Sequence, residues 1–341
     1  MKRLGIAKFL IIIGIVVVVV VAGVGVFFLT RNSDPANVPV ARTEVVIGGQ
    51  TIPITATDID VEISNADDIG ELSYLRNLER LSIAGAENND FDSFESTIPL
   101  LEAISMMDNL QELNIVSIPI HYNYIGLLSN LEQLEHLSIA HAWLSDISQL
   151  VGLTELTTLI LHDNAISDIS HLATLTQLIR LDLSRNDIVD LSALAELLQL
   201  ERLELSFNNE ISDISYLSSL TQLTHLKLMS TAVRDISSLS TLTELQQLNL
   251  NDARVQDISA LEGLTKLTHI FLNNNYVQDL SPLAELENLR GLYLYNNNVS
   301  DVTPLARLFR LHMLELGSNP VTDFSPLVHL YDLTLNPVSG E

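Results

Sequence analysis

Residues 156–177 read LTTLILHDNAISDISHLATLTQ, and residues 178–199 read LIRLDLSRNDIVDLSALAELLQ. Laid over one another they share Leu at positions one, four and six, Asn at nine, Ile at eleven and Asp at thirteen. Ser at fifteen and Leu at seventeen and twenty coincide as well. Working outward, the same phase opens units at Leu134, Leu156, Leu178, Leu200, Leu223, Leu245, Leu267, Leu289 and Leu311. The spacing is 22, with one 23 where Asn209 or Glu210 is inserted. Two more units open at Leu78 and Leu110, with spacings of 32 and 24, and a weaker one opens at Ala56. That weaker unit carries Ile59, Val61, Asp68, Ile69 and Leu72 in register. The total is about twelve, with Leu333 and Leu335 as a final stub. Such a period is the signature of stacked supersecondary units, none of which closes a core alone. It overrides the two-domain expectation that 341 residues would otherwise carry.

The spacing within one unit predicts its structure. In Leu-x-Leu, alternate side chains point the same way, as on a strand. Leu159 and Leu161, like Leu181 and Leu183, therefore face inward, and Ile166, Ile169, Leu172 and Leu175 fill the opposite wall. Stacking pairs the strands into one parallel sheet, so the predicted fold is an α/β solenoid. Asn164, Asn186, Asn208, Asn275, Asn297 and Asn319 fall where the chain turns inward. An amide both donates and accepts, so this column can satisfy the backbone of adjacent coils. Ala142, Thr231 and Ala253 interrupt it, and those coils are expected to be less well held. A second column runs Asp68, Asp146, Asp168, Asp190, Asp213, Asp235, Asp257, Asp279, Asp301 and Asp323. Asp before Ile-Ser reads as a cap on a short helical turn rather than a calcium ladder. The stretch 84–131 is irregular. Within it, Ser96 to Met107 has apolar residues at near-helical spacing and predicts a helix on the wall opposite the sheet.

Runs such as Asn164-Ala-Ile-Ser-Asp-Ile-Ser170 and Asp279-Leu-Ser-Pro-Leu283 resemble the 22-residue class of leucine-rich repeats, over roughly residues 56–335. That class occurs in bacterial internalins and in a eukaryotic phosphatase-regulatory subunit. The resemblance implies a horseshoe with short 3₁₀ turns on its convex side and partner binding on its concave face.

Phe9 to Leu29 is free of charge and long enough, as a helix, to span a bilayer. Lys2, Arg3 and Lys8 precede it, which predicts a signal-anchor with residues 1–8 in the cytoplasm and the repeats outside. The protein is thus expected to be a single-pass membrane protein. The alternative is a cleaved signal and a secreted product. Residues 30–43 read as a tether. In 44–55, Gly48-Gly49 between two β-rich runs predicts a hairpin capping the repeats of 56–341. There is no cysteine, so thiolate chemistry and disulfides are excluded.

The formal charge is −26, and beyond Asp34 there are 13 basic against 42 acidic residues. Such a body repels nucleic acid. No phosphate-binding loop, nucleophile elbow or cleft-facing carboxylate pair is evident, so neither an enzyme nor a cofactor is expected. Function then rests on the sheet face, at positions three, five and seven, with eight at the rim. Its middle carries Arg180, Asp182, Arg202, Glu204 and Lys227, where Arg180 and Asp182 are expected to pair with Glu204 and Arg202. Towards the C-terminal end it carries His269, Phe271, Tyr293, Tyr295 and Met313, with Met229 and Phe207 further back. Aromatics on a rigid surface are the usual anchors of protein interfaces. The expected partner is a protein, with a glycan or a purely structural spacer role as alternatives. His136, His141 and His162 form a weak zinc candidate lacking any local metal motif; a polar rim contact is the plainer reading.

Overall fold

A computed structural model describes residues 42–86, 94–120, 122–328, 330 and 334–336, with short stretches of the first thirty residues. Thirteen strands form one parallel sheet in strict chain order, from Asp58–Ile63 to Thr334–Asn336. Each strand pairs with the one a repeat later. Thr158, Leu159 and Ile160 lie opposite Arg180, Leu181 and Asp182, and these lie opposite Arg202, Leu203 and Glu204. The inserted residue leaves the register intact, because the turn from Asn208 to Ile211 absorbs it before Arg202 meets His225. A one-residue slip would have turned every leucine outward.

Opposite the sheet, from Ser148–Gly152 to Ser325–Leu327, each coil makes one 3₁₀ turn. Between the two walls Leu159, Leu161, Leu172, Leu175, Leu181 and Leu183 are fully buried, as are their equivalents in neighbouring coils. Truncating one such leucine to alanine costs roughly 2–5 kcal/mol. Each turn is entered through its aspartate. The N–H groups of Ser148, Ser170, Ser192, Ser215, Ser237, Ser259 and Ser281 donate to the Asp two residues earlier at 2.8–2.9 Å. Thr303 and Ser325 do the same to Asp301 and Asp323. Those N–H and hydroxyl groups hold Asp146, Asp168, Asp213, Asp235 and Asp279 below the ordinary carboxylate range.

Asp68 departs from the column. The helix Ala66–Leu72 is capped instead by Asn65, whose Oδ1 accepts from the N–H of Asp67 and Asp68. The Asp68 carboxylate reaches back to the N–H of Gly48 and Ser64, both at 3.0 Å. Burial raises its pKa, but those donors outweigh it and leave the group below its ordinary value. The bond ties the hairpin Glu44–Ile47/Gln50–Pro53 to the first coil. Gly48 and Gly49 have φ of +53° and +77°, as a two-residue hairpin turn demands, and a Cβ on Gly48 would strike Glu62 O. Val45, Ile47 and Ile52 are buried beneath the hairpin.

The sequence reading contains no helix at Ala66–Leu72. The helix there is capped by Asn65 and packs beside a second helix, Ile98–Ile104, whose Leu100, Leu101 and Ile104 are buried. That second helix begins later than the predicted Ser96, after a 3₁₀ turn at Phe94–Thr97.

The N-terminal apolar run differs from expectation. Leu10–Ile12, Ile15–Val21 and Val26–Leu29 are strands paired antiparallel, and not one continuous helix. The run is rich in valine and isoleucine, whose branched side chains favour extended backbone. Among the described residues no helix is long and apolar enough to cross a membrane.

Candidate partner-binding face

The ends of the strands hold the face rigid. Buried Asn208 is typical. Its Oδ1 accepts from Ile188 N at 3.0 Å, and its Nδ2 donates to Leu183 O and Leu205 O at 2.9 Å. Asn164, Asn186, Asn275, Asn297 and Asn319 repeat the pattern. At Thr231 the hydroxyl retains one bond, to Leu228 O at 2.8 Å.

Just before this column lies a device that sequence reasoning missed. Ser117, His141, Asp163, Arg185, Phe207, Ser230, Asp252, Asn274, Asn296 and Ser318 all have φ between +53° and +63°. All occupy position eight, and none is glycine. Left-handed backbone costs a residue with a Cβ roughly 1–2 kcal/mol. It lets the N–H of Asp163, Arg185, Phe207 and Asn274 reach the next coil's carbonyl at 2.8–2.9 Å. The available signal was the Asn, Asp and Ser content of the column, since Asn and Asp tolerate this conformation best.

On this frame the candidate residues separate into groups. His269, Phe271 and Tyr293 form one stack. His269 and Phe271 ring centroids lie 6.4 Å apart at 15°, and Phe271 and Tyr293 lie 4.5 Å apart at 7°. The Tyr293 hydroxyl donates to Met313 Sδ at 3.4 Å. Gly291 makes this arrangement fit, because a Cβ there would lie 2.7 Å from His269 Cδ2 and 3.2 Å from Tyr293 Cε2. A glycine inside a strand marks such close approach, and it was not read that way from the sequence. Desolvation, then the charge of Arg290, lowers the His269 pKa; desolvation, then Glu315, raises that of Tyr293. Both shifts favour the neutral form. Tyr295 stands one column over, its N–H held by Asn273 Oδ1 at 2.8 Å.

Phe207 and Met229 are not part of this stack. Phe207 sits on the rim three coils away, about 15 Å at the usual strand spacing, with the Arg185 guanidinium 4.2 Å above its ring. Arg180 and Arg202 form a third group, and the expected crossed ion pairs are absent. The register sets Arg180 beside Arg202 and Asp182 beside Glu204. Asp182 instead accepts from the N–H and hydroxyl of Ser184, at 2.9 and 2.6 Å, and Glu204 takes Lys227 at 2.7 Å.

The histidine trio does not assemble. His141 and His162 meet edge-on at 5.0 Å, and His141 Nδ1 lies 2.6 Å from Asp163 Oδ2. His136 opens the strand His136–Ala140 that leads into His141, five residues and roughly 16 Å back along the chain. Among the described residues no group of three ligating side chains could hold a metal.

Comparison with known proteins agrees with this architecture. The family model for leucine-rich repeats in two copies matches residues 154–196, 176–219, 198–241 and 243–285. No curated protein sequence matches the chain. The crystal structure of the internalin InlF of Listeria monocytogenes is similar, with TM-score 0.72 and 27% identity over 86% of this chain and 91% of that one. The functional domain of Listeria monocytogenes InlJ shares the fold, with TM-score 0.54 and 19% identity over 83% and 59%. So does a plant peptide-hormone receptor solved with its hormone, with TM-score 0.65 and 20% identity over 82% and 50%. The repeats, the asparagine column and the likeness to InlF together make the chain a leucine-rich repeat protein of the internalin-like class.

Proposed function

We propose that the protein binds a protein partner on its sheet face, with the ring stack at its C-terminal third as the anchor. The observation that carries this is the outward row His269, Phe271 and Tyr293, closed by Met313. Pre-ordered aromatics lose little entropy on binding and bury large areas, which is how interface hot spots work. A protein suits the stack better than a glycan. The faces of Phe271 and Tyr293 are turned on one another, whereas a sugar ring stacks on an open face. The plant receptor solved in complex with its peptide hormone supplies a precedent for a peptide ligand on this fold. Arg180, Arg202, Phe207, Met229 and Tyr295 extend the proposed contact surface, and adhesion is the biological form we favour.

We further propose that residues 9–29 anchor the chain and that the repeats face outward. The support is the uncharged run with Lys2, Arg3 and Lys8 before it. A three-stranded sheet with open edges cannot sit in hydrocarbon, while a helix satisfies its own backbone. In a bilayer the run is therefore expected to become helical.

Two experiments test these readings. Phe271→Ala, Tyr293→Ala and Tyr295→Ala together should abolish capture of the partner while leaving the circular dichroism spectrum intact; undiminished capture removes the binding site. Protease added to intact cells should degrade the repeats; full protection removes the outward orientation. Release of the repeats into the medium would mean secretion after cleavage.

A further inference from the structure

Four cations stand on columns three and five of the sheet face. Arg80 holds Asp58 at 2.6 Å and Lys227 holds Glu204 at 2.7 Å. Arg180 and Arg202 are exposed, and neither guanidinium forms a hydrogen bond or ion pair with another described residue. They lie directly opposite one another on paired strands, about 4.8 Å apart at the backbone. Like charges in that position are unfavourable to the sheet. The carboxylates two residues on along the same strands have other partners, Asp182 its own Ser184 and Glu204 Lys227. His225, next in the column, has its ring nitrogen against Thr224 Oγ1 at 2.8 Å and adds no acceptor of negative charge. On the other side of Arg180 the face opens into a shallow recess of about 460 Å³ lined by Ser82, Glu112, Asn114, His136, Ser138 and Ile160, so Arg180 carries its positive charge at one end and Glu112 a negative one further along.

We infer that Arg180 and Arg202 receive a carboxylate from an acidic segment of the protein partner, laid along this recess. The inference rests on the reading of the sheet as the binding face. Two neighbouring guanidinia offer the forked N–H donors that fit a carboxylate in bidentate fashion. The charge of the whole molecule narrows the class. A polyanion such as nucleic acid, or an anionic bilayer, would meet a body with 42 acidic residues, whereas one or two carboxylates in a mixed-charge segment meet chiefly the arginines. The pair therefore selects a local feature of a partner, and the surrounding acidity rejects extended anions.

The test is a random dodecapeptide display library selected against the immobilised full chain, and against Arg180→Gln/Arg202→Gln and Arg180→Lys/Arg202→Lys. Wild type should enrich Asp or Glu at one position by roughly threefold or more, as a charge-assisted contact implies. The glutamine variant should lose that enrichment and the lysine variant should keep part of it, with unchanged circular dichroism spectra for both. Absence of acidic enrichment, its persistence in the glutamine variant, or recovery of no peptide would overturn the inference. So would arginine-dependent binding of phosphatidylglycerol vesicles without acidic peptides. Peptides that need Phe271 and Tyr293 but not the arginines would leave the binding face standing and remove this role alone.

Discussion

Asn208→Ala removes one amide that serves three buried backbone groups. In the variant Ile188 N loses its acceptor and Leu205 O its donor at a site with no solvent exposure, while Leu183 O keeps the Asn186 Nδ2 donor at 3.1 Å. Each of the two orphaned buried groups costs roughly 1–3 kcal/mol, and partial collapse or an entering water recovers some of it, so the expected loss is about 2–4 kcal/mol. Stability in a solenoid is a sum of local and nearest-neighbour terms, so the damage should be confined. Urea denaturation should show the loss. Hydrogen exchange should accelerate around Leu181–Leu183 and Leu203–Leu205 while Gly291–Tyr293 is unaffected. The reverse change is equally informative. Ala253 interrupts the column, and Ala253→Asn would bring an acceptor to Val233 N and donors to Leu228 O and Leu250 O. A gain of about 1 kcal/mol is expected, the net worth of a hydrogen bond or two. An Asn208→Ala cost under about 1 kcal/mol, or a loss of protection spread evenly over the chain, would refute the account of the column.

Other substitutions probe other devices. Asp168 and Asp279 have lowered pKa values, so their caps contribute stability that is present above the ordinary carboxylate pKa and lost as pH falls through the folded values. The Asp168→Asn/Asp279→Asn variant should therefore have a lower urea midpoint than wild type at pH 7, with the gap closing on acidification; a constant gap would remove the role of the charge. Gly291→Ala places a methyl group against the His269 and Tyr293 rings, and should alter the near-ultraviolet circular dichroism of the stack for a stability cost of about 1 kcal/mol or less. An unchanged spectrum would show that the glycine does not set the stack. Ser230→Gly relieves left-handed backbone at φ +54° and should be neutral or stabilise by up to about 1 kcal/mol. Destabilisation by more than that would contradict the strain argument.

The fold was legible because one 22-residue period fixes everything that repeats. Leu159 and Leu181, Asn164 and Asn186, Asp168 and Asp190 each lie one above the other, as their phase requires. What breaks the period was less legible. The helix Ala66–Leu72 packs beside another in a stretch with irregular spacing, and the Asp68 carboxylate leaves its column for the hairpin. On the face, phase gave which side chains point outward but not which of them meet. Phe271 and Tyr293 share a column, and whether their rings stack depends on the space that Gly291 leaves. The charged pairs were misread because column order was treated as freely crossing. In a parallel in-register sheet each residue meets its own equivalent, so Arg180 meets Arg202.

The central claim is that partners are held on the sheet face at its C-terminal third. A photo-crosslinking amino acid placed at Phe271, and separately at Gln278 on the opposite wall, tests it in intact cells of the source organism. Irradiation is predicted to give a discrete protein adduct from position 271 and none from position 278. An adduct from position 278 with none from position 271 would contradict the account.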